Sequence, residues 1–169
     1  MIMIIQRPSN SFAFMSLMLT ALLGVDCRSR PTSETWHRNR GQTTVTAAVN
    51  GDLDLLKKLE ASGESLDFQD HEIFNWTPLI AAIYHQKTNI TYYLLTKKIN
   101  LNLQDRDGET ALMWAITTED SNTVKLLLER GADVTITNRA GVNAFGLAGK
   151  SPHRATFLNW LNEHKPQRR

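Results

Sequence analysis

Apolar residues recur along most of the chain with the spacing of one helix face. Val124, Leu127 and Leu128 lie three or four positions apart, and Ile90 and Leu94 repeat this arrangement in an earlier segment. Residues with such spacing line one side of an α-helix. Each of these segments follows a shorter stretch rich in alanine, which allows neighbouring helices to approach closely. The pattern therefore predicts a succession of helix pairs.

A period of 33 residues relates the helix pairs to one another. Thr77, Thr110 and Asn143 lie 33 positions apart. The same spacing relates three further sets: Leu79, Leu112 and Phe145; Ala82, Ala115 and Ala148; and Leu94, Leu127 and Trp160. Self-similarity at a fixed period of this length is the signature of stacked repeats. We therefore expect each period to form a unit that is stable only when it packs against its neighbours.

One loop departs from the period. Gly63 and Gly131 follow the second helices of the first and third units, and they are 68 positions apart, which is two more than twice the period. The two extra residues are assigned to the loop at 70–75. This turn is therefore predicted to be longer than its counterparts in the later units.

The residues at the ends of the predicted helices suit their positions. The hydroxyl of Thr110 can cap a helix, and Pro78 stands in a first helical turn, where its missing N–H is harmless. Gly63 and Gly131 can adopt the left-handed conformation that ends a second helix. The turn position that tolerates a positive φ is occupied by Asn75, Gly108 and Gly141.

At these residues the chain resembles a known family. Residues 107–112 (DGETAL) and 124–134 (VKLLLERGADV) look like an ankyrin repeat close to consensus. Residues 76–82 (WTPLIAA) match the family signature T-P-L-H-x-A except that Ile80 replaces the histidine. The resemblance implies an all-α ankyrin-repeat solenoid of helix-turn-helix units with short β-turn tips. It covers about residues 42–164, in three to four repeats including modified end units, at about 42–69, 70–104, 105–137 and 138–164.

The last unit is expected to be modified, as the end of a stack must be. Gly146, Gly149 and Pro152 are predicted to interrupt its first helix. Its second helix is predicted from Arg154 to Asn162, and it would present to the stack Phe157, Leu158, Trp160 and Leu161.

The residues before the repeats have a different character. Residues 12–25 form an uncharged apolar run of 14 residues, which as a helix would span ~21 Å, less than the ~30 Å hydrocarbon core of a bilayer. Such a run is typical of a secretory signal peptide, so we expect residues 1–27 to be a signal or apolar segment and the mature protein to be periplasmic or secreted. Lipid attachment at Cys27 is an alternative, as is a cytosolic form translated from Met15 or Met18.

Charge divides the chain into three parts. Residues 28–41, a polar linker without periodicity, have a net charge of +3, and residues 150–169, which include the basic tail 165–169, have +4. The intervening residues 42–149 have a net charge of −5. Nucleic-acid binding requires a basic surface on the folded body, so basic ends are weak evidence for it.

The sequence contains little that supports catalysis or metal binding. Its single cysteine, Cys27, excludes an intrachain disulfide and a zinc site built from thiolates. No two of its five histidines share a helix face at ligand spacing. It has neither a G-x-S-x-G nucleophile motif nor a glycine-rich phosphate loop before a helix. We therefore expect a protein that is not an enzyme and holds no cofactor or metal.

The resemblance also indicates where a partner would bind. Ankyrin proteins usually meet partners with their turn tips and the exposed side of their first helices. Carried to matching positions, this implies partner-binding residues at His71, Glu72, Ile73, Phe74, Trp76, Tyr84, His85, Arg106, Asp107, Glu109, Thr117, Thr118 and Arg139. The aromatic 70–76 loop is either a binding hot spot or packing over the first unit. The acidic residues near it would favour a partner with a basic patch.

These observations predict a protein-protein interaction module, monomeric before it binds. Small ankyrin proteins with a signal segment resemble those of Gram-negative bacteria, several of which are immunity proteins. The resemblance implies an immunity protein of a type VI secretion system that blocks a toxic effector, a lipase or another hydrolase, in the periplasm. The alternatives are a periplasmic structural or protective factor, and a cytosolic ankyrin regulator with a misassigned start.

Overall fold

The computed structural model describes residues 43–70 and 74–165, all within one compact unit, Gly41–Arg169. The described residues form eight helices: α1 (Thr44–Asn50), α2 (Leu53–Ala61), α3 (Pro78–Tyr84), α4 (Thr88–Leu95), α5 (Ala111–Thr117), α6 (Ser121–Glu129), α7 (Ala144–Ala148) and α8 (Arg154–Glu163). Their β structure consists of isolated antiparallel bridges between Asp70 and Trp76 and between Thr137 and Asn143. The predicted all-α fold is confirmed.

The helices stack in two layers. The first helices pack in the order α1, α3, α5, α7, and the second helices α4, α6 and α8 pack behind them. The alanines of the 33-residue register, Ala82, Ala115 and Ala148, are fully buried between first helices. Because alanine has only a methyl side chain, neighbouring helices can lie close together there. Leu94 and Leu127, also in register, are fully buried in the second layer.

Side-chain oxygens cap every first helix of the described stack. Thr77 Oγ1 accepts a hydrogen bond from the Ile80 N–H at 3.1 Å, and Pro78 occupies the first helical turn. Thr110 Oγ1 accepts from the Met113 N–H at 3.4 Å, which confirms the predicted cap. The equivalent caps of α1 and α7 are Thr43 and Asn143. The repeated Thr or Asn therefore fixes the point at which each first helix begins.

A narrow hairpin precedes each first helix from α3 onward. The hydrogen bond that closes it joins the Asp105 N–H to the Glu109 carbonyl in the third unit. In the second unit the corresponding bond joins the Asp70 N–H to the Trp76 carbonyl, at 2.9 Å. Since this bond encloses two more residues than its counterpart, the insertion predicted in the 70–75 loop is confirmed. The hairpins also bond to one another, because the Arg106 N–H donates to the Phe74 carbonyl at 2.9 Å.

The turn positions behave as the sequence predicts. Asn75, Gly108 and Gly141 have φ values of 58°, 80° and 74°. Gly108 is also held in a close approach, since a Cβ there would lie 2.9 Å from the backbone nitrogen of Arg139. A side chain at this position would therefore push apart the hairpins of the third and fourth units, which we call the third and fourth hairpins.

The last unit differs from the prediction, because neither Gly146 nor Pro152, which lies beyond the helix, interrupts α7. Gly146 lies inside α7 and does not interrupt it; the helix continues to Ala148, with Gly149 as its C-cap. The N-cap bond from Asn143 to the Gly146 N–H, at 3.2 Å, holds this short helix together despite the glycine. The second helix, α8, buries Phe157 and Leu161 in the stack, as expected.

Candidate protein-binding surface

Five aromatic side chains from the second and third units form one cluster, which we call the aromatic cluster: Phe74, Trp76, Tyr84, His85 and Trp114. Trp76 lies at its centre, with ring centroids 4.8 Å from Phe74, 4.9 Å from Tyr84, 5.8 Å from His85 and 6.4 Å from Trp114. Tyr84 and Trp114 meet edge to face at 5.1 Å. These separations and tilts are those of attractive ring pairs. The hairpin and two first helices therefore contribute to one continuous aromatic surface.

The cluster has a half-buried base and more exposed rings at its edge. Trp76 and Trp114 are half-buried and pack against the hydrophobic core. Phe74 and Tyr84 remain 48% and 44% exposed, although each contacts another ring. A large ring that is held by a neighbouring ring and still half exposed offers apolar contact area at a small entropic cost. This arrangement suits association with another protein.

Trp114 is held in place by a buried carboxylate. Its indole N–H donates to Oδ2 of Asp105 at 2.8 Å. Oδ1 of Asp105, a residue only 6% exposed, accepts the backbone N–H groups of Asp107 and Glu109 at 2.9 and 2.8 Å. One side chain thus shapes the third hairpin and orients the indole ring of α5.

Sequence reasoning missed Trp114 as a site residue, although a signal was present. The equivalent positions one period away are Ala81 and Leu147. Tryptophan is much larger than the fully buried Ala81, and Trp114 is only half-buried. Comparing side-chain sizes across repeats would have identified it.

A groove of about 300 Å³ lies beside the cluster, between α1 and the second hairpin. We call it the α1 groove; its lining residues are Val45, Thr46, Val49, Asp70, Phe74, Trp76 and His85. The lining is mainly apolar, with one carboxylate and one imidazole. Its volume is at the lower limit of typical ligand pockets, roughly 300–1,000 Å³. The groove is therefore suited to a large side chain of a partner.

The other predicted contact residues lie on the hairpin tips and the end of α5. Arg106, Asp107 and Arg139 are exposed, and the Arg139 N–H donates to the Asp107 carbonyl at 2.9 Å. Thr117 and Thr118 donate their hydroxyls to carbonyls one turn earlier in their own helix, at 3.0 and 2.9 Å. The tips therefore present exposed charged side chains on a hydrogen-bonded backbone, whereas the threonine hydroxyls bond within their own helix.

Glu109 lies in a locally negative environment. Its side chain is half-buried, and its Oε1 accepts a hydrogen bond from Nδ2 of Asn138 at 3.2 Å. Burial raises the pKa of Glu109, and the nearby carboxylates of Asp105 and Asp107 raise this pKa further, while the bond from Asn138 opposes both effects. Negative charge thus accumulates around the third hairpin.

The structure brings together four of the predicted site residues, Phe74, Trp76, Tyr84 and His85, in the aromatic cluster. His71, Glu72 and Ile73, also predicted to contact a partner, lie outside the described residues, as do the predicted signal segment and linker. Phe74 is both stacked on Trp76 and exposed, so it combines features of the hot-spot and packing interpretations of this loop.

The described residues also bear on metal binding and on membrane insertion. Between residues 43 and 165, outside the gap at 71–73, no group of three or more His, Cys, Asp or Glu side chains is arranged to hold a metal ion. None of the helices in these same ranges is long and apolar enough to cross a membrane.

Comparison with known proteins identifies the repeats. Residues 44–138 match the family described as Ankyrin repeats (3 copies). The chain is 31% identical over 120 residues to an L-asparaginase of Dirofilaria immitis, covering 71% of this chain and 20% of the relative. It is 37% identical over 89 residues to palmitoyltransferase ZDHHC17 of Homo sapiens, covering 52% of this chain and 14% of the relative.

A third relative carries the repeat in its name. The ankyrin repeat, SAM and basic leucine zipper domain-containing protein 1 of Notamacropus eugenii is 31% identical over 121 residues, or 68% of this chain and 24% of the relative. This chain spans a quarter or less of the length of these relatives, so their activities do not transfer with the match. The helix pairs, the capped register and the family match together show that the chain is a protein-protein interaction module of the ankyrin-repeat family.

Proposed function

We propose that this protein binds one protein partner through the aromatic cluster and the α1 groove, without catalysing a reaction. The observation that carries the proposal is the joint exposure of Phe74 and Tyr84, at 48% and 44%, beside a half-buried Trp76. Exposed aromatic residues on a fixed base are the usual centre of a protein interface. The surrounding charged tips supply the polar rim.

The rigidity of this surface favours specific binding. Trp76 is enclosed by neighbouring rings, and the bond to Asp105 fixes the indole of Trp114. Side chains that are already ordered lose little conformational entropy when a partner covers them. The surface is therefore preorganised, with its aromatic side chains already ordered before the partner binds.

The experiment is affinity capture of the partner followed by titration of the purified complex. Phe74→Ala and Tyr84→Ala should each weaken binding by about tenfold, which corresponds to ~1.4 kcal/mol. Phe68→Ala and Tyr92→Ala are matched controls, because Phe68 and Tyr92 are 41% and 44% exposed outside the cluster. Equal losses in all four variants would contradict the proposal.

Trp76 requires separate treatment. The sequence alone suggests that Trp76→Ala weakens binding while the fold stays intact. However, Trp76 is half-buried at the centre of the cluster and packs against the core, and removal of a buried tryptophan costs about 3–5 kcal/mol. Its loss is expected to lower stability together with affinity, so Phe74 and Tyr84 are the cleaner probes.

A finer proposal concerns the consequence of binding. We propose that the protein is an exported inhibitor that covers the active-site entrance of a toxic effector enzyme, as an immunity protein does. Its support is the apolar run at 12–25, typical of a signal peptide, and the resemblance to small signal-bearing ankyrin proteins. Cell fractionation tests export: full-length protein found only in the cytosol would contradict it and favour a cytosolic regulator.

Inhibition is tested separately. The captured partner should be a lipase or another hydrolase, and its activity should fall to background at one equivalent of this protein. A partner that keeps full activity in the saturated complex would exclude the inhibitor role and favour a structural or protective factor.

A further inference from the structure

We infer that the α1 groove receives a long aliphatic side chain of the protein partner, of the isoleucine or methionine kind. This side chain lies on Thr46 and Val49 of α1 and against the ring of Phe74. The inference rests on the proposed function, which it deepens by naming the chemistry of the partner's anchoring residue.

The next two units show which side chain normally occupies this position in the stack. Three residues after the cap of its helix, α1 has Thr46, whereas α3 and α5 have Ile80 and Met113. The three positions are equivalent, because in each helix the cap accepts a hydrogen bond from the N–H of that residue. Ile80 and Met113 are 0% and 1% exposed, while Thr46 is only half-buried. The first unit therefore has a shorter side chain where its neighbours bury a long aliphatic one.

The next turn of α1 repeats this difference. Val49 stands six residues after its cap, and the residues at the same distance in α3 and α5 are Ile83 and Ile116. These isoleucines are buried, whereas Val49 is half-buried. Thr46 and Val49 both line the groove. The groove thus opens where α1 lacks aliphatic volume that α3 and α5 supply themselves, and a space of this kind accepts an apolar guest.

The polar residues of the lining do not favour a charged guest. Asp70 already has interactions within the protein, among them the bond from its N–H to the Trp76 carbonyl at 2.9 Å. The imidazole of His85 lies edge to face against the ring of Trp76, at 5.8 Å. A charged side chain entering here would exchange water for a mainly apolar lining, which is costly, whereas an aliphatic side chain would not.

The groove is continuous with the aromatic cluster, since Phe74, Trp76 and His85 belong to both. A partner that covers the exposed part of Phe74 therefore lies directly beside the groove. An anchoring side chain in a pocket next to aromatic residues is typical of the centre of a protein interface. The aliphatic residue and the aromatic cluster thus form one binding surface.

The first test uses three capped amino acids as probes: the N-acetyl amides of methionine, lysine and phenylalanine. Methionine and lysine have side chains of similar length, but only lysine is charged. In NMR titrations of the full chain, the methionine probe should shift the amide signals of Val45, Thr46 and Val49 in a saturable manner. It should bind about threefold more tightly than either other probe, and added salt should not weaken it.

The second test fills the groove from within the chain. Thr46→Ile and Thr46→Met introduce the side chains that Ile80 and Met113 supply in the next two units. Each variant should abolish the shifts caused by the methionine probe, because the space is already occupied. Thr88→Ile makes the same change at an exposed position of α4 and should leave these shifts unchanged.

Melting temperatures show whether the new side chains enter the groove. Thr46→Val is the reference, because it removes the hydroxyl that lies 3.0 Å from the hydroxyl of Thr43 without adding length. Thr46→Ile and Thr46→Met should melt at a higher temperature than Thr46→Val, since filling a cavity adds apolar contacts. Variants that melt below this reference would show that the groove does not accept an aliphatic side chain, which overturns the inference.

Other occupants would give other results. Tighter binding of the lysine or the phenylalanine probe would identify a charged or an aromatic guest. Signals of the groove residues that change with protein concentration, without any probe, would identify a second copy of this chain. Each of these results overturns the inference, as does the absence of saturable shifts with the methionine probe.

The captured partner separates this inference from the proposed function. Thr46→Ile should weaken binding of the partner by about tenfold, although its own melting temperature exceeds that of Thr46→Val. If Thr46→Ile binds as tightly as the parent protein while Phe74→Ala and Tyr84→Ala weaken binding, the inference fails and the proposed function stands. If none of the three variants weakens binding, both fail.

Discussion

The indole N–H of Trp114 donates a hydrogen bond to Oδ2 of Asp105 at 2.8 Å, and this bond ties helix α5 to the hairpin that precedes it. Asp105 is nearly buried, and its other oxygen holds two backbone N–H groups of the hairpin. The position of an aromatic ring on the candidate surface and the shape of a hairpin tip therefore depend on the same carboxylate.

Replacing Trp114 tests this relationship. Trp114→Phe keeps an aromatic ring but leaves Oδ2 of Asp105 without this donor, so we expect a loss of about 1–3 kcal/mol in the free energy of unfolding. Chemical denaturation measures it. In the double variant with Asp105→Asn the two losses should not add, because both remove the same bond. Strict additivity would show that the bond contributes nothing.

Alanine substitutions at two glycines distinguish the cost of backbone strain from the cost of a steric contact. Gly108 and Gly141 have φ values of 80° and 74°, but a Cβ on Gly141 would meet nothing within 4 Å. Gly141→Ala should therefore cost about 1–2 kcal/mol, the penalty of the left-handed conformation alone. Gly108→Ala should cost clearly more, because its Cβ would lie 2.9 Å from the Arg139 nitrogen. Equal losses of unfolding free energy would contradict the close approach of the hairpins.

Removal of the Glu109 charge should stabilise the protein at neutral pH. Burial raises the pKa of Glu109 above its ordinary value of 4.5, so the folded protein binds a proton more tightly than the unfolded chain. The ionised carboxylate therefore lowers stability once the pH rises above 4.5. Glu109→Gln keeps an oxygen for Asn138, and its melting temperature should exceed that of the parent protein at pH 7.

The pH profile is the control for this prediction. The increase in melting temperature caused by Glu109→Gln should shrink as the pH falls and vanish below 4.5, where Glu109 of the parent protein is protonated in both the folded and the unfolded chain. Glu64→Gln, at an exposed position, controls for the general effect of removing one negative charge. An advantage that does not change with pH would show that ionisation is not its cause.

Removal of the Glu60 charge should have the opposite effect on stability. Its carboxylate pairs with Lys97 at 2.8 Å and accepts the hydroxyl of Tyr93, joining α2 to the end of the second unit. The bond from Lys97, followed by that from Tyr93, lowers the pKa of Glu60 below 4.5. The resulting stability is present above this value and is lost as the pH falls through the lowered pKa.

Glu60→Gln should therefore lower the melting temperature at pH 7 by a small amount, as expected for a pair accessible to solvent. The deficit should disappear in acid and shrink in high salt. A deficit of constant size at every pH would mean that the glutamine disturbs packing and that the ionic contact is unimportant.

The sequence by itself determined the repeat architecture, because its information is local and periodic. The capping residue Thr110, the left-handed Gly108 and the buried Ala115 each act through the backbone or a close neighbour, and a residue with the same role stands 33 positions away in each neighbouring unit. Even the length of the irregular hairpin could be counted from the spacing of Gly63 and Gly131. Stacked repeats make such local rules sufficient for the fold.

Only the tertiary structure decided which side chains share a surface. Tyr84 and Trp114 are thirty positions apart in sequence, yet their rings meet at 5.1 Å because α3 and α5 lie side by side. The α1 groove likewise joins Val45 to Phe74 across two units. Sequence periodicity gives the register between repeats, but the contacts of large side chains depend on the space left when helices pack, and that space exists only in the folded stack.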